Sequence, residues 1–151
     1  MKTLREYINL IEGKIDDNWF KDDAFKTFKQ AKSIHYDTAT DSGTVDTLEG
    51  PVKYQAGHKI ITGPKGEKYP VSPESFADKY DVDDEHTATP KKIVKYAKLA
   101  DHDGVLHTSW GDLSYTKGND VIVRHGEGDY GAVKKDIFQQ TYDTKEMKWK
   151  L

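Results

Sequence analysis

The spacing of apolar and polar positions changes along the chain. Over residues 3–15, Leu4, Ile8, Ile11 and Ile15 recur at i, i+4, i+7 and i+11, with Tyr7 and Leu10 beside them. That spacing lays one apolar stripe along a helix. Arg5, Glu6, Asn9 and Glu12 make its polar face, Thr3 is placed to cap it, and Gly13 to end it. A helix this short is marginal alone and needs a surface to dock on. A second helix is predicted after Asp22 or Asp23, because Phe25 and Phe28 lie three apart and share a helical face with Ala24 and Ala31. Trp19 and Phe20 fall in the connection.

Beyond this segment the pattern becomes short, alternating and strand-like, and it occurs twice. With an offset of 61, Ala39 pairs with Ala100, Gly43 with Gly104, Thr47 with Thr108, Gly50 with Gly111, Tyr54 with Tyr115 and Gly57 with Gly118. Ile61 then pairs with Ile122 and Tyr69 with Tyr130; after a one-residue insertion, Val71, Phe76, Tyr80 and Asp81 pair with Val133, Phe138, Tyr142 and Asp143. The repeated residues are mostly Gly, Tyr and Phe, which shape turns and cores. The pattern predicts two tandem copies of one small antiparallel module, each closed by a short helix. Strands this short need curling or mutual packing to be stable.

The predicted class is therefore α+β: N-terminal helices followed by two tandem β modules, partial barrels of SH3-like size. The expected boundaries are a helical segment at 1–32, module one at 33–81, an acidic linker at 82–92 and module two at 93–151, the last with a closing strand through Met147, Trp149 and Leu151.

Composition narrows the function. With 35% hydrophobic and 32% charged residues, the core is modest, yet three Trp, five Phe and nine Tyr exclude a wholly disordered chain. A formal net charge of −3 argues against a broad nucleic-acid-binding field. The absence of Cys excludes disulfides and thiolate chemistry. No apolar run approaches the ~20 residues of a membrane span.

Catalytic signals are sparse. His102, Asp103 and His107 form the densest local group of metal-ligating residue types, but Asp103-Gly104 reads better as a hairpin turn, and no metal or other cofactor is expected. Gly126, Gly128 and Gly131 spell Gly-x-Gly-x-x-Gly, without the long helix and βαβ unit that a dinucleotide site needs; a hairpin turn is expected there. No Gly-x-Ser-x-Gly elbow exists. The carboxylate pairs at Asp16-Asp17, Asp22-Asp23 and Asp83-Asp84 read as caps and a solvated linker. A non-enzyme is expected.

The segment from Gly126 to Tyr142, GEGDYGAVKKDIFQQTY, resembles the small bacterial and phage PGDYG proteins, named for their motif. Gly128, Asp129, Tyr130 and Gly131 carry the motif, and Glu127 stands where the family has Pro. Residues 47–80 look like the same module with the motif reduced to Glu67-Lys68-Tyr69-Pro70. The resemblance covers about two thirds of the chain and implies no particular activity. Residues 1–12, MKTLREYINLIE, are similar to short leader helices on proteins of tailed phages, some of which are packaged in the head and cut after a Leu/Ile-x-Glu motif. Leu10-Ile11-Glu12 fits that motif, which makes Glu12 the expected processing site and Leu4, Ile8, Ile11 and Ile15 the expected partner-binding face. The resemblances imply a non-enzymatic virion-associated or head-packaged phage protein that binds a protein partner or a further copy of itself as an oligomer. Its location would be the virion or the host cytoplasm. Alternatives are a phage or bacterial inhibitor of a host defence or nucleic-acid enzyme, and a small ligand-binding or hydrolytic enzyme.

Overall fold

The computed structural model describes residues 15–48, 50–108 and 111–147, and these are mostly antiparallel β. A 3₁₀ turn (Asp17–Lys21) leads into β1 (Phe25–Thr27). Then come β2 (Ile34–Thr38), β3 (Gly43–Thr47), β4 (Gly50–Tyr54), β5 (Lys59–Thr62), β6 (Lys68–Val71), α1 (Pro73–Lys79), β7 (Tyr80–Val82) and β8 (Thr87–Pro90). The chain continues through β9 (Lys95–Leu99), β10 (Gly104–Thr108), β11 (Gly111–Tyr115), β12 (Asp120–Gly126), β13 (Asp129–Lys134) and α2 (Lys135–Thr141).

The chain divides into two units. The middle unit, Lys29–Ile93, has a sheet ordered β6-β5-β2-β8-β7 and a separate β3-β4 hairpin. The composite unit joins the residues up to Phe28 to those from Val94 onward, with a sheet ordered β1-β9-β12-β13 and a separate β10-β11 hairpin. Both units run through the same series of strand, hairpin, two paired strands and helix.

The repeated residues have matched physical roles. Gly43 pairs with Tyr54 and Gly104 with Tyr115 across their hairpins, and in both the tyrosine ring fills the space a Cβ on the glycine would take. Thr47 and Thr108 donate their hydroxyls to the carbonyls of Gly50 and Gly111, each at 2.7 Å. The backbone amides of Gly57 and Gly118 reach the carbonyls of Ala39 and Ala100 at 2.7 and 2.9 Å.

The hydrogen bonds also place the insertion. Ala39 N–H donates to the His58 carbonyl, but Ala100 N–H donates to that of Asp120. The extra residue is therefore Asn119, in the turn before β12, earlier than the sequence pairing puts it. From there the offset is 62, so Ile61 corresponds to Val123, both fully buried, and Tyr69 to Gly131. The pairings Ile61–Ile122 and Tyr69–Tyr130 are corrected accordingly, and the counterpart of Tyr130 is Lys68.

The expected class needs correction from α+β to mostly β. Among the described residues, no α-helix precedes α1. Residues 25–27 form a strand on β9, with Phe25 and Thr27 buried and Lys26 exposed. Three-residue spacing of Phe25 and Phe28 suggested a helix, but Asp23 takes a left-handed φ of 61° and turns the chain into an extended path. Thr27 fixes it by donating to the Asp143 carbonyl at 2.6 Å. The first expected helix, over 3–15, lies outside the described residues except Ile15, and so do Trp149 and Leu151. The stretch expected as a linker, 82–92, contains β8, which pairs with both β2 and β7 and fully buries Ala88.

In the middle unit Tyr36, Ile61, Phe76, Tyr80 and Ala88 form the core. The composite unit buries both faces of β12. Val121 and Val123 meet Phe25, Ala97, Phe138 and Tyr142, while Ile122 meets Phe20, Ala100, Leu106 and Tyr115. A strand covered on both faces is apolar without alternation, which accounts for Val121-Ile122-Val123. The cover on the second face includes the N-terminal turn.

Candidate functional site

The family-motif residues sit at the β12–β13 hairpin. Gly128 has φ +70°, a left-handed conformation that costs other residues strain. The ladder shifts between Arg124 and Gly126, a bulge that re-aims side chains at the hairpin end. Three donors then converge on one carboxylate. Arg124 Nε reaches Asp17 Oδ1 at 2.9 Å, Gly128 N–H reaches it at 3.3 Å, and the Tyr130 hydroxyl donates to the same oxygen. Asp17 opens the 3₁₀ turn, whose cap is Asp16 accepting from Trp19 N–H at 3.1 Å. Two residues beyond Trp19's neighbour Asn18, Phe20 stacks on the Tyr130 ring at 5.6 Å and 14°.

The electrostatics follow from this clamp. The Arg124 hydrogen bond, with those of Tyr130 and Gly128, holds Asp17 down to about 2 against the opposing effect of burial. Burial, and then the bond to Asp17, pushes the Tyr130 phenol above its ordinary range. Asp17 thus stays charged and Tyr130 neutral near neutral pH. That suits a fastening site and not a proton-transfer pair.

Of the residues singled out in the sequence, Gly128 and Tyr130 belong to the clamp, Asp129 is exposed beside them, and Gly131 pairs with Val123. Leu4, Ile8, Ile11 and Glu12 lie outside the described residues. Ile15 packs against the cluster of Phe20, Leu106 and Ile122, so this member of the expected partner face contacts its own unit. Sequence reasoning missed Asp17 and Arg124. Asp17 read as a helix cap, and nothing local joins it to a hairpin more than a hundred residues later.

The histidines rearrange too. His102 contacts Asp101 at 2.5 Å and the Tyr115 hydroxyl at 2.8 Å, while His107 contacts Asp112 at 2.7 Å across its hairpin. His102, Asp103 and His107 do not form a common site. Among the described residues the metal-ligating side chains that converge are His35, Asp37 and His86, whose ligand atoms all lie within 4.8 Å of one another. A solvent-open recess of about 480 Å³ beside the β3–β4 hairpin is lined by Ser42, Lys53, Tyr54 and His58. No helix among the described residues is long and apolar enough to cross a membrane.

A family model described as PGDYG protein matches residues 50–143, a span that contains Arg124, Gly128 and Tyr130 but not Asp17. No curated protein and no solved structure matches the chain.

Proposed function

The chain belongs to the PGDYG protein family, and on that premise we propose that it is a non-enzymatic protein acting through protein–protein contacts, as a virion-associated or head-packaged component of a tailed phage. The observation that supports this most is the use of the motif hairpin. Its three donors hold a carboxylate from a distant segment, and the lowered Asp17 and raised Tyr130 suit holding, not turnover. Charge-assisted bonds of this kind recognise an acidic side chain with defined geometry. We read the common register of the two units as an internal duplication in which one copy keeps the clamp. In the other copy, Thr62 and Lys68 stand at the positions of Arg124 and Tyr130.

The leader's likeness to those of packaged phage proteins supports the virion setting. The acidic residues that would favour a host-enzyme inhibitor are partly engaged within the middle unit. Asp84 accepts from the amides of His86 and Thr87, and Asp83 from the Thr89 hydroxyl, all at 2.8 Å. Quantitative mass spectrometry of purified particles tests the proposal. A fixed copy number per particle supports it, and detection only in infected-cell lysate overturns it in favour of an inhibitor.

A further inference from the structure

The geometry points to a binding site for one divalent transition-metal ion of the Zn²⁺ class, formed by His35, Asp37 and His86 in the middle unit. Side chains alternate along a strand. On β2, Tyr36 turns into the core, and His35 and Asp37 project together from the opposite face. His86 arrives from the turn before β8. Its backbone carbonyl accepts from Tyr36 N–H at 2.8 Å, and its own N–H donates to Asp84 at 2.8 Å. The ligand-bearing turn is thus fixed on both sides by bonds that do not use the imidazole.

Asp37 lies 3.2 Å from His35 Nε2 through one oxygen and 3.3 Å from His86 Nδ1 through the other. Around a tetrahedral ion with bonds of 2.0–2.1 Å, neighbouring ligand atoms are about 3.3 Å apart. Each imidazole nitrogen has that spacing to one Asp37 oxygen, and the three ligand atoms, all within 4.8 Å of one another, close on an ion by small side-chain rotations. The two imidazole rings are parallel, 5.7 Å between centroids at 6°. Two imidazoles with one carboxylate make a ligand set suited to Zn²⁺ and leave a coordination position for water. About half of each side chain is exposed, so an ion has a path in. Asp83, Asp84 and Glu85 flank the turn and favour a cation.

The other unit indicates that this constellation is dispensable for the module. The counterparts of His35 and Asp37 on β9 are Tyr96 and Lys98, and that strand takes the matching place in the sheet of its own unit. The ligand set is therefore an addition to the module and not part of its folding pattern.

The test is calorimetric titration of the full chain with ZnCl₂, alongside His35→Tyr, His86→Ala and, as a control at another histidine, His107→Ala. Melting curves in chelator confirm that each variant is folded, and His35→Tyr carries the residue the other unit already uses. The expected result is one Zn²⁺ per chain, weakened at least about tenfold in His35→Tyr and His86→Ala and unchanged in His107→Ala. No binding heat with the wild-type chain, or the same affinity in a folded His35→Tyr/His86→Ala double variant, overturns the proposal.

Discussion

The Tyr130 hydroxyl donates to the Asp17 carboxylate across 113 residues of sequence, and this bond closes the N-terminal turn over β12. Its consequence is topological: the first described residues belong to the same unit as the chain from Val94 onward. Replacing Tyr130 by Phe keeps the stack on Phe20 and removes only the hydroxyl. Asp17's side chain is 39% exposed, so water screens the loss, and we expect a cost of about 1 kcal/mol. Urea denaturation measures it; an unchanged midpoint would mean that the hydroxyl does not hold the turn.

The same carboxylate sets an acid limit. Asp17 is lowered from 3.8 to about 2, so the folded state favours the ionised form. Its contribution is present above 3.8 and is lost as pH falls through about 2. In Asp17→Asn that contribution is absent at every pH. The gap in urea midpoint between wild type and variant should therefore be full at neutral pH and shrink between 3.8 and about 2. A gap constant over that interval would contradict the clamp.

Phe76 and Phe138 occupy matched places in their units, 2% and 0% exposed, stacked on Tyr80 and Tyr142 at 5.1 and 4.7 Å. Each Phe→Ala change leaves a cavity with little room to collapse, at a cost of about 3–5 kcal/mol. Thermal melts of both variants should show large losses, and wild-type melting of either would remove that residue from its core.

Gly43 and Gly104 face the same demand with different freedom. Tyr115 is 3% exposed, and its hydroxyl meets His102 at 2.8 Å, so it cannot yield to a methyl group; Tyr54 is only half-buried. Gly104→Ala should cost about 1–3 kcal/mol by overpacking, and Gly43→Ala less. Equal losses in the two variants would show that the tyrosines are equally constrained.

These matched glycines and tyrosines explain what was legible in the sequence. A cross-strand Gly–Tyr pair and a positive-φ turn each demand a residue type, and both units carry them. Phe76, Tyr80, Tyr115, Phe138 and Tyr142 are buried as their repetition suggested, while Tyr54, Tyr69 and Tyr130 are half-buried. Strand β8 escaped notice because a buried strand made of Thr87, Ala88, Thr89 and Pro90 carries no large apolar residue. Phe25 was misassigned because three-residue spacing outweighed the two-residue alternation of Phe25 and Thr27. The clamp and the His35–Asp37–His86 group unite residues far apart in sequence. Local spacing drew attention to His102 and His107 instead, which the fold directs to different partners.

The N-terminal residues offer the sharpest separation of stability from function. Ile15, Trp19 and Phe20 pack on the composite unit, and Asp17 is clamped there. Lys98 also reaches this turn, donating to the Trp19 carbonyl at 3.0 Å and lying 4.3 Å from its ring centre. Deleting residues 1–13 spares all of these contacts, whereas deleting residues 1–21 uncovers Ile122 and leaves Arg124 without its carboxylate. We expect the shorter deletion to melt close to wild type and the longer one to melt far lower, because the second face of β12 would meet water. If the leader is what a partner reads, the shorter deletion should also abolish incorporation into particles while the protein remains folded. A shorter deletion that incorporates normally would count against the leader as the recognition element, and one that unfolds would make residues 1–13 part of the core.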